Sequence, residues 1–198
     1  MGDNLYENFY DPTEDFKREP RYFCYEMALE LYKEGTQKND EEMKIKSILL
    51  LLYTWNFAAK ETKKLTFEVI RELLISNKDN LQRLEGISIE NIPDNLWDIV
   101  ETVFENFKAK LGQTGASKAL SLINPNLFVM WDTKIRKRLG KELIKGIDNG
   151  ENAEHYIIFL KGIKEIIEKN KIRDKLPNGV ILAKKIDEYN YVKIVMKL

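Results

Sequence analysis

The feature that most constrains this chain is the helical spacing of its apolar residues between positions 94 and 111. Apolar side chains recur there at steps of three and four, which places them on one face of an α-helix. They are Leu96, Ile99, Val100, Val103, Phe104 and Phe107. Helices also fit residues 20–34, 41–60, 66–76, 151–170 and 179–196, whereas the alternation typical of β-strands is scarce. The sequence therefore predicts an all-α protein.

The predicted helices have recognisable ends. Asp40 and Asp94 are placed to cap the helices that follow them, and Gly35 is placed to end the first helix. The run 48–53 is apolar on all sides and predicts a buried central helix. With 198 residues and no repeat or convincing linker, we expect one helical domain, 1–198. We expect it to form a two-lobed bundle with a cleft near 111–140, and an irregular arm over 1–19.

The cysteine and histidine content excludes several classes of site. Cys24 and His155 are the only residues of their types. They cannot supply a zinc finger, a four-cysteine iron–sulfur cluster or a Ser–His–Asp triad, and no cofactor or metal is predicted. A carboxylate site for Mg²⁺ or Ca²⁺ stays open. No internal disulfide, signal peptide or membrane-spanning run is found, so we expect a cytoplasmic protein without a membrane partner.

The net charge of zero conceals an uneven distribution. Residues 1–100 sum to −7 and residues 101–198 to +7, and the segment 106–141 holds eight basic residues against one acid, Asp132. A basic face on a neutral protein can bind a polyanion, although such runs also occur as plain solvated faces. Pairing of the acidic and basic halves between subunits is a further possibility, so self-association stays open.

Three features coincide between residues 111 and 140. Glycines at Gly112 and Gly115 interrupt a helix, and a new helix begins directly after them, where free backbone N–H groups favour a phosphate. Asp132 stands at the start of another helix, behind an apolar segment. That second helix is strongly basic. Together these features favour binding of nucleic acid.

The same stretch resembles the helix-hairpin-helix DNA glycosylase superfamily, which includes endonuclease III and the alkylbase glycosylases. That family carries a hairpin of the form Leu-Pro-Gly-x-Gly-x-x-Thr-Ala, followed by an apolar helix and an Asp-Thr segment with basic residues. Here residues 111–119 read Leu-Gly-Gln-Thr-Gly-Ala-Ser-Lys-Ala, and 132–140 read Asp-Thr-Lys-Ile-Arg-Lys-Arg-Leu-Gly. The chain lacks the hairpin proline, and its interval from hairpin to aspartate is shorter by about one helical turn.

The resemblance implies a specific function. Asp132 would face a nucleotide turned out of the DNA duplex and promote cleavage of its N-glycosidic bond, in DNA repair. The lysine of lyase-active members aligns with Ser117, or with Lys118 if the alignment shifts by one residue. The residues expected to contact DNA are Gly112, Thr114, Gly115, Ser117, Lys118, Lys134, Arg136, Lys137 and Arg138.

The same residues also fit plainer roles. Asp132 also fits the role of a helix N-cap alone, and 112–115 the role of an ordinary turn between helices. The three tryptophans, Trp55, Trp97 and Trp131, fit the core better than base-stacking platforms. The alternative to an enzyme is therefore a non-catalytic helical module that binds nucleic acid or protein.

Overall fold

The computed structural model describes residues 5–55, 65–143 and 152–198, and every regular element within them is helical. The prediction of an all-α protein is confirmed. In these ranges no helix has both the length and the apolar character needed to cross a bilayer. The helices are α1 (Thr13–Phe16), α2 (Tyr22–Gln37), α3 (Glu41–Trp55), α4 (Phe67–Ser76), α5 (Lys78–Arg83), α6 (Trp97–Ile123), α7 (Thr133–Leu143), α8 (Ala153–Lys169) and α9 (Leu182–Asn190). A π-helical segment, Tyr191–Met196, continues α9 directly.

The end of α2 differs from its prediction. The expectation that Gly35 ends the first helix is wrong, because α2 continues through it to Gln37. A Cβ on Gly35 would lie 3.0 Å from the backbone nitrogen of Lys44 and 3.1 Å from the carbonyl oxygen of Asp40. This glycine therefore permits the close approach of α2 and α3 rather than a turn.

The starts of α3 and α6 contrast with each other. Asp40 caps α3 as predicted, since its Oδ1 accepts a hydrogen bond of 2.9 Å from the backbone N–H of Met43. Asp94 instead lies in a 3₁₀ turn, Asp94–Leu96, and α6 begins only at Trp97. The predicted continuation of α3 from 56 to 60 lies outside the described residues.

One connected cluster of buried apolar side chains forms the core. The predicted stripe of α6 faces it, with Val100, Val103 and Phe104 fully buried. The run 48–53 of α3 was expected to be buried on all sides, but Leu49 and Leu50 are half-buried and Tyr53 is 42% exposed. Burial of these apolar surfaces is the main contribution that stabilises the packing of the helices.

The N-terminal arm packs against the C-terminal helix. Tyr189 of α9 contacts the rings of Phe9 and Tyr10, with centroids 4.6 and 5.6 Å away. The hydroxyl of Tyr6 donates a hydrogen bond of 2.5 Å to Oδ1 of Asn190. The arm was predicted to be irregular, but it contains the single turn α1, and the last residue of that turn, Phe16, reaches the site described next.

Candidate active site

The interruption of α6 is confined to one residue. Gly112 has φ +68° and ψ 170°, a conformation that only glycine adopts without strain, and the helix resumes at once. The break is therefore narrower than the predicted 112–115. Gly115 and Ser117 lie inside the second part of α6, where both are buried. The predicted end of this helix at Asn124-Pro125 is confirmed, since α6 stops at Ile123.

The second part of α6 directs Lys118 into the protein. Only 5% of this residue is exposed, and its Nζ donates a hydrogen bond to the backbone oxygen of Trp55, at the end of α3. Burial lowers the pKa of Lys118 to about 8, although the nearby carboxylate of Asp132 acts to raise it. The neutral fraction of this amine is therefore larger than that of an exposed lysine at the same pH.

Asp132 caps α7 and also faces the same space as Lys118. Its Oδ1 accepts hydrogen bonds from the backbone N–H groups of Lys134 (2.9 Å) and Ile135 (3.0 Å), so the N-cap interpretation is confirmed. Among the described residues no hydrogen bond reaches Oδ2. The cap therefore uses one of the two carboxylate oxygens.

The segment before Asp132 is non-helical, buried and firmly positioned. Four hydrogen bonds fix it: Tyr156 Oη to Val129 O (2.8 Å), Met130 N to Asp187 Oδ1, Trp131 N to Ser117 Oγ (3.0 Å) and Arg136 Nη1 to Trp131 O (2.9 Å). Because these partners come from α6, α7, α8 and α9, the position of Asp132 is set by four helices. Ser117 has a positioning role in this structure.

Two further carboxyl groups come from α9. Asp187 is 6% exposed, and burial raises its pKa well above the usual value, although the N–H of Met130 acts to lower it. Glu188 is 2% exposed and forms ion pairs with Lys184 (2.8 Å) and Lys185 (2.9 Å). Glu188 thus has cationic partners, whereas the bonded partner of Asp187 is a neutral backbone group.

These groups line one narrow pocket of about 20 Å³, which is space for about one water molecule. Its aromatic walls are Phe16, Tyr25, Trp55 and Tyr191, its aliphatic walls are Met130 and Ile135, and its titratable groups are Lys118, Asp132, Asp187 and Glu188. The aromatic rings contact one another, with centroids 5.1 Å apart for Trp55 and Tyr191 and 5.9 Å apart for Phe16 and Trp55. The pocket thus combines flat apolar walls with an amine and carboxyl groups.

The residues predicted to contact DNA fall into two sets. Lys134, Lys137 and Arg138 are exposed on α7. Arg136 is half-buried, and its Nη1 donates to Oγ1 of Thr114 (3.1 Å), which joins the basic helix to the backbone beside Gly112. In the other set, Gly115, Ser117 and Lys118 lie inside the fold.

Sequence reasoning missed the contribution of the two chain ends. Phe16, Tyr25, Asp187 and Tyr191 line the pocket, yet none was singled out as a site residue. The spacing of Asp187 and Tyr191 places both on one face of α9 and its continuation, but many surface helices show such a pair. Trp55 was expected in the core, and it is both buried and a wall of the pocket.

Comparisons of the chain with protein-family models, with curated proteins and with solved structures each find no match. The relationship to the helix-hairpin-helix glycosylases therefore stays a prediction. Within the described ranges, no group of three or more His, Cys, Asp or Glu side chains is arranged to hold a metal ion.

Proposed function

We propose that this protein is a DNA glycosylase that cleaves an N-glycosidic bond in the pocket of Lys118 and Asp132. The observation that carries the proposal is that a buried lysine with a lowered pKa lines the same aromatic pocket as the carboxylate that begins the basic helix. Strongly perturbed titratable groups in a concave site are a recurring mark of catalytic centres. The sequence resemblance assigned Asp132 the same role independently.

Lys118 is suited to act as the nucleophile. A neutral amine keeps one N–H on the backbone oxygen of Trp55 and has a lone pair for attack on the anomeric carbon of the sugar. The attack would release the base and lead to a Schiff base between Nζ and the opened sugar. Burial favours this step because it increases the neutral fraction of the amine.

Asp132 would take the proton that the attacking amine loses. Its carboxylate acts on the charge of Lys118, and Oδ1 is fixed by two backbone N–H groups, so Oδ2 has a defined position. A positioned carboxylate also stabilises the positive charge that develops on the sugar as the base leaves. The N-cap and the catalytic role are therefore compatible in one side chain.

The surface around the pocket would hold the DNA backbone. Lys134, Lys137 and Arg138 present positive charge on α7, and the hydrogen bond between Arg136 and Thr114 places Gly112 beside this helix. Glycine allows the backbone at 112 to approach a phosphate closely. Binding of this kind depends steeply on salt, because each phosphate contact releases counterions.

An abasic duplex tests the proposal without knowledge of the damaged base. A Schiff base with the abasic aldehyde becomes a permanent adduct on reduction with borohydride, and the wild-type protein is expected to form this adduct. Asp132→Asn keeps the cap, since asparagine also accepts N–H bonds, but it cannot take a proton. This variant should lose about 10²-fold or more in the rate of adduct formation while its affinity for the duplex is retained.

Release of base from damaged duplexes gives the second readout. The panel contains uracil, hypoxanthine, 8-oxoguanine and 7-methylguanine, and at least one of them should be released in a manner that depends on Asp132. Full activity of Asp132→Asn on both readouts would remove Asp132 from the chemistry. Absence of any adduct or release by the wild type would contradict the enzyme proposal.

The second candidate is a module that binds nucleic acid without chemistry. It is favoured by one observation, the complete N-cap that Asp132 makes with Lys134 and Ile135. Under this alternative the protein binds duplexes with a steep salt dependence, and neither adduct nor released base is formed.

A further inference from the structure

Asp187 is a buried carboxyl group whose bonded partner is not a cation. It lies on α9, about one helical turn before Tyr191, which forms part of the pocket wall. Oδ1 accepts a hydrogen bond from the backbone N–H of Met130, so the orientation of the carboxyl is fixed. The scheme of Lys118 and Asp132 gives this group no task.

The surroundings of Asp187 favour its protonated form. It is packed among Lys118 of α6, Asp132 before α7, Tyr25 of α2 and Tyr156 of α8, with Glu188 beside it. Burial disfavours its charged form most strongly, and Glu188 and Asp132 add like charge. Lys118 opposes them, but Asp132 is its stronger electrostatic partner. The protonated carboxyl therefore has an O–H to donate.

The departing base needs a proton. When a neutral base leaves a sugar, the electrons of the C1′–N bond remain on the base, and the resulting anion is a poor leaving group. A positioned acid that donates a proton to the base as the bond breaks typically accelerates such a step by about 10² to 10⁴. Lys118 and Asp132 act on the sugar, so the proton for the base must come from another group of the pocket.

We infer that Asp187 is a second catalytic residue, the general acid that protonates the leaving base, for substrates whose base is neutral. The inference rests on the proposed function. The base would lie against the aromatic walls, which must separate to admit it, with a nitrogen or carbonyl oxygen of its edge toward the O–H of Asp187.

The step balances in atoms and charge. The lone pair of Lys118 Nζ forms a bond to C1′, the C1′–N bond breaks, and its electron pair leaves with the base. Asp187 gives its proton to the base, and Asp132 takes a proton from Nζ. When the sugar ring opens, Asp132 returns that proton to O4′, and the cationic Schiff base on Lys118 then lies beside the Asp187 carboxylate.

Glu188 lines the same pocket but is not the acid. Its two carboxylate oxygens are held in ion pairs by Lys184 at 2.8 Å and by Lys185 at 2.9 Å. Both oxygens are therefore already engaged with ammonium groups. The two neighbouring acids of α9 thus differ in their partners, which are two ammonium groups for Glu188 and one backbone N–H for Asp187.

The substitution Asp187→Asn separates the acid from the scaffold. Asparagine has nearly the same shape and its carbonyl oxygen can accept the N–H of Met130, but its amide cannot transfer a proton at neutral pH. In single-turnover assays on the neutral bases of the panel, we expect release to slow by about 10²-fold. Trapping on abasic DNA should proceed at the wild-type rate, because no base leaves in that reaction.

Two further readouts distinguish catalysis from structural support. 7-Methylguanine already carries a positive charge, so any release of it should be nearly insensitive to Asp187→Asn. With a neutral base, the wild-type rate should fall at high pH as Asp187 loses its proton, and the variant should lack that fall. Asp187→Ala, which also removes the acceptor for Met130, should impair trapping in addition.

Each result bears on the inference. An equal loss of trapping and release in Asp187→Asn would assign the residue to structure alone and overturn the inference. Trapping that depends on Lys118, with no release of any base, would also overturn it while the amine chemistry stands. Absence of trapping in the wild type would instead contradict the proposed function itself.

Discussion

Two concave regions of this molecule invite comparison, and the larger one is chemically plainer. A groove of about 700 Å³ lies between the ends of α2, α4 and α6, the start of α3, and α5. The pocket of Lys118 measures about 20 Å³. The charged residues of the groove are exposed or half-buried, whereas Lys118, Asp187 and Glu188 are almost fully buried. The difference indicates that the burial of titratable groups is a better guide to a candidate active site than the volume of a cavity.

The comparison rests on matched residues in the two regions. Lys44 and Lys78 line the groove, and Asp40 caps the helix at its edge. Lys118 and Asp132 hold the corresponding positions in the pocket, where Asp132 caps α7. The same substitution can therefore be made in both regions, and we expect an effect on activity only in the pocket.

The largest effect is expected from removal of the amine. Lys118→Gln should slow base release and Schiff-base formation by about 10³-fold or more, because the nucleophile is lost. Lys78→Gln in the groove should leave both rates within about twofold. Single-turnover kinetics on damaged and abasic duplexes measure both rates. Equal rates in the two variants would contradict the assignment of Lys118 as the nucleophile.

The next effect concerns stability and pH. The pKa of Lys118 is about 8 in the fold against 10.5 for an ordinary lysine. Between these values the unfolded chain binds a proton that the folded chain lacks, so this residue makes stability increase with pH, by about 3 kcal/mol in total. As pH falls from 10.5 to 8, that contribution is lost, because below pH 8 the amine is protonated in both states.

Denaturant unfolding at several pH values between 8 and 10.5 tests this prediction. Lys118→Met should flatten the rise in the free energy of unfolding, whereas Lys78→Met should reproduce the wild-type slope. The difference between wild type and variant isolates the lysine from other groups that titrate in this range. A slope that Lys118→Met does not change would mean that the buried amine titrates normally.

A smaller effect is expected in DNA binding. Replacement of Lys134 and Lys137 by Gln should reduce the slope of log affinity against log salt by about 2, because two phosphate contacts are lost. When salt rises from 50 to 200 mM, the affinity of this variant should therefore fall by about tenfold less than that of the wild type. The control is the double variant Lys44→Gln and Lys78→Gln, which changes the charge equally but alters the groove. Equal slopes for the two double variants would assign no DNA contact to α7.

The smallest effect separates the cap from catalysis. Asp132→Ala and Asp40→Ala should each lower the free energy of unfolding by about 1 kcal/mol, since each removes a helix N-cap. The corresponding Asn variants should lower the free energy of unfolding by only about a few tenths of a kcal/mol, because asparagine is also a good N-cap. Activity should fall in both Asp132 variants and in neither Asp40 variant, and thermal unfolding beside the adduct assay would show any departure from this pattern.

The sequence predicted the helices well because their signals are local. The apolar stripe of α6 and the caps at Asp40 and Asp132 each depend on residues within a few positions. The glycines were predicted less well. Gly35 and Gly115 lie within helices, because their roles depend on what packs against them and not on neighbouring positions.

The candidate site was only half predictable. Asp132 was singled out from its sequence context, and Lys118 entered as one of two positions for the lysine. The orientation of Lys118 is set by the break at Gly112 and by the backbone oxygen of Trp55, 63 residues earlier. Asp187 reaches the pocket through its bond to Met130, 57 residues away. Contacts over such distances have no local signature, so the acid and the aromatic walls required the fold.

The position of the reduced adduct is the most direct test of whether the amine of Lys118 reacts with the sugar. The wild-type protein is incubated with a duplex that contains one abasic site, reduced with borohydride and digested, and the modified peptide is identified by mass spectrometry. The account predicts that the sugar is attached to Nζ of Lys118. An adduct on an exposed lysine, such as Lys134 or Lys78, with Lys118 unmodified, would contradict it.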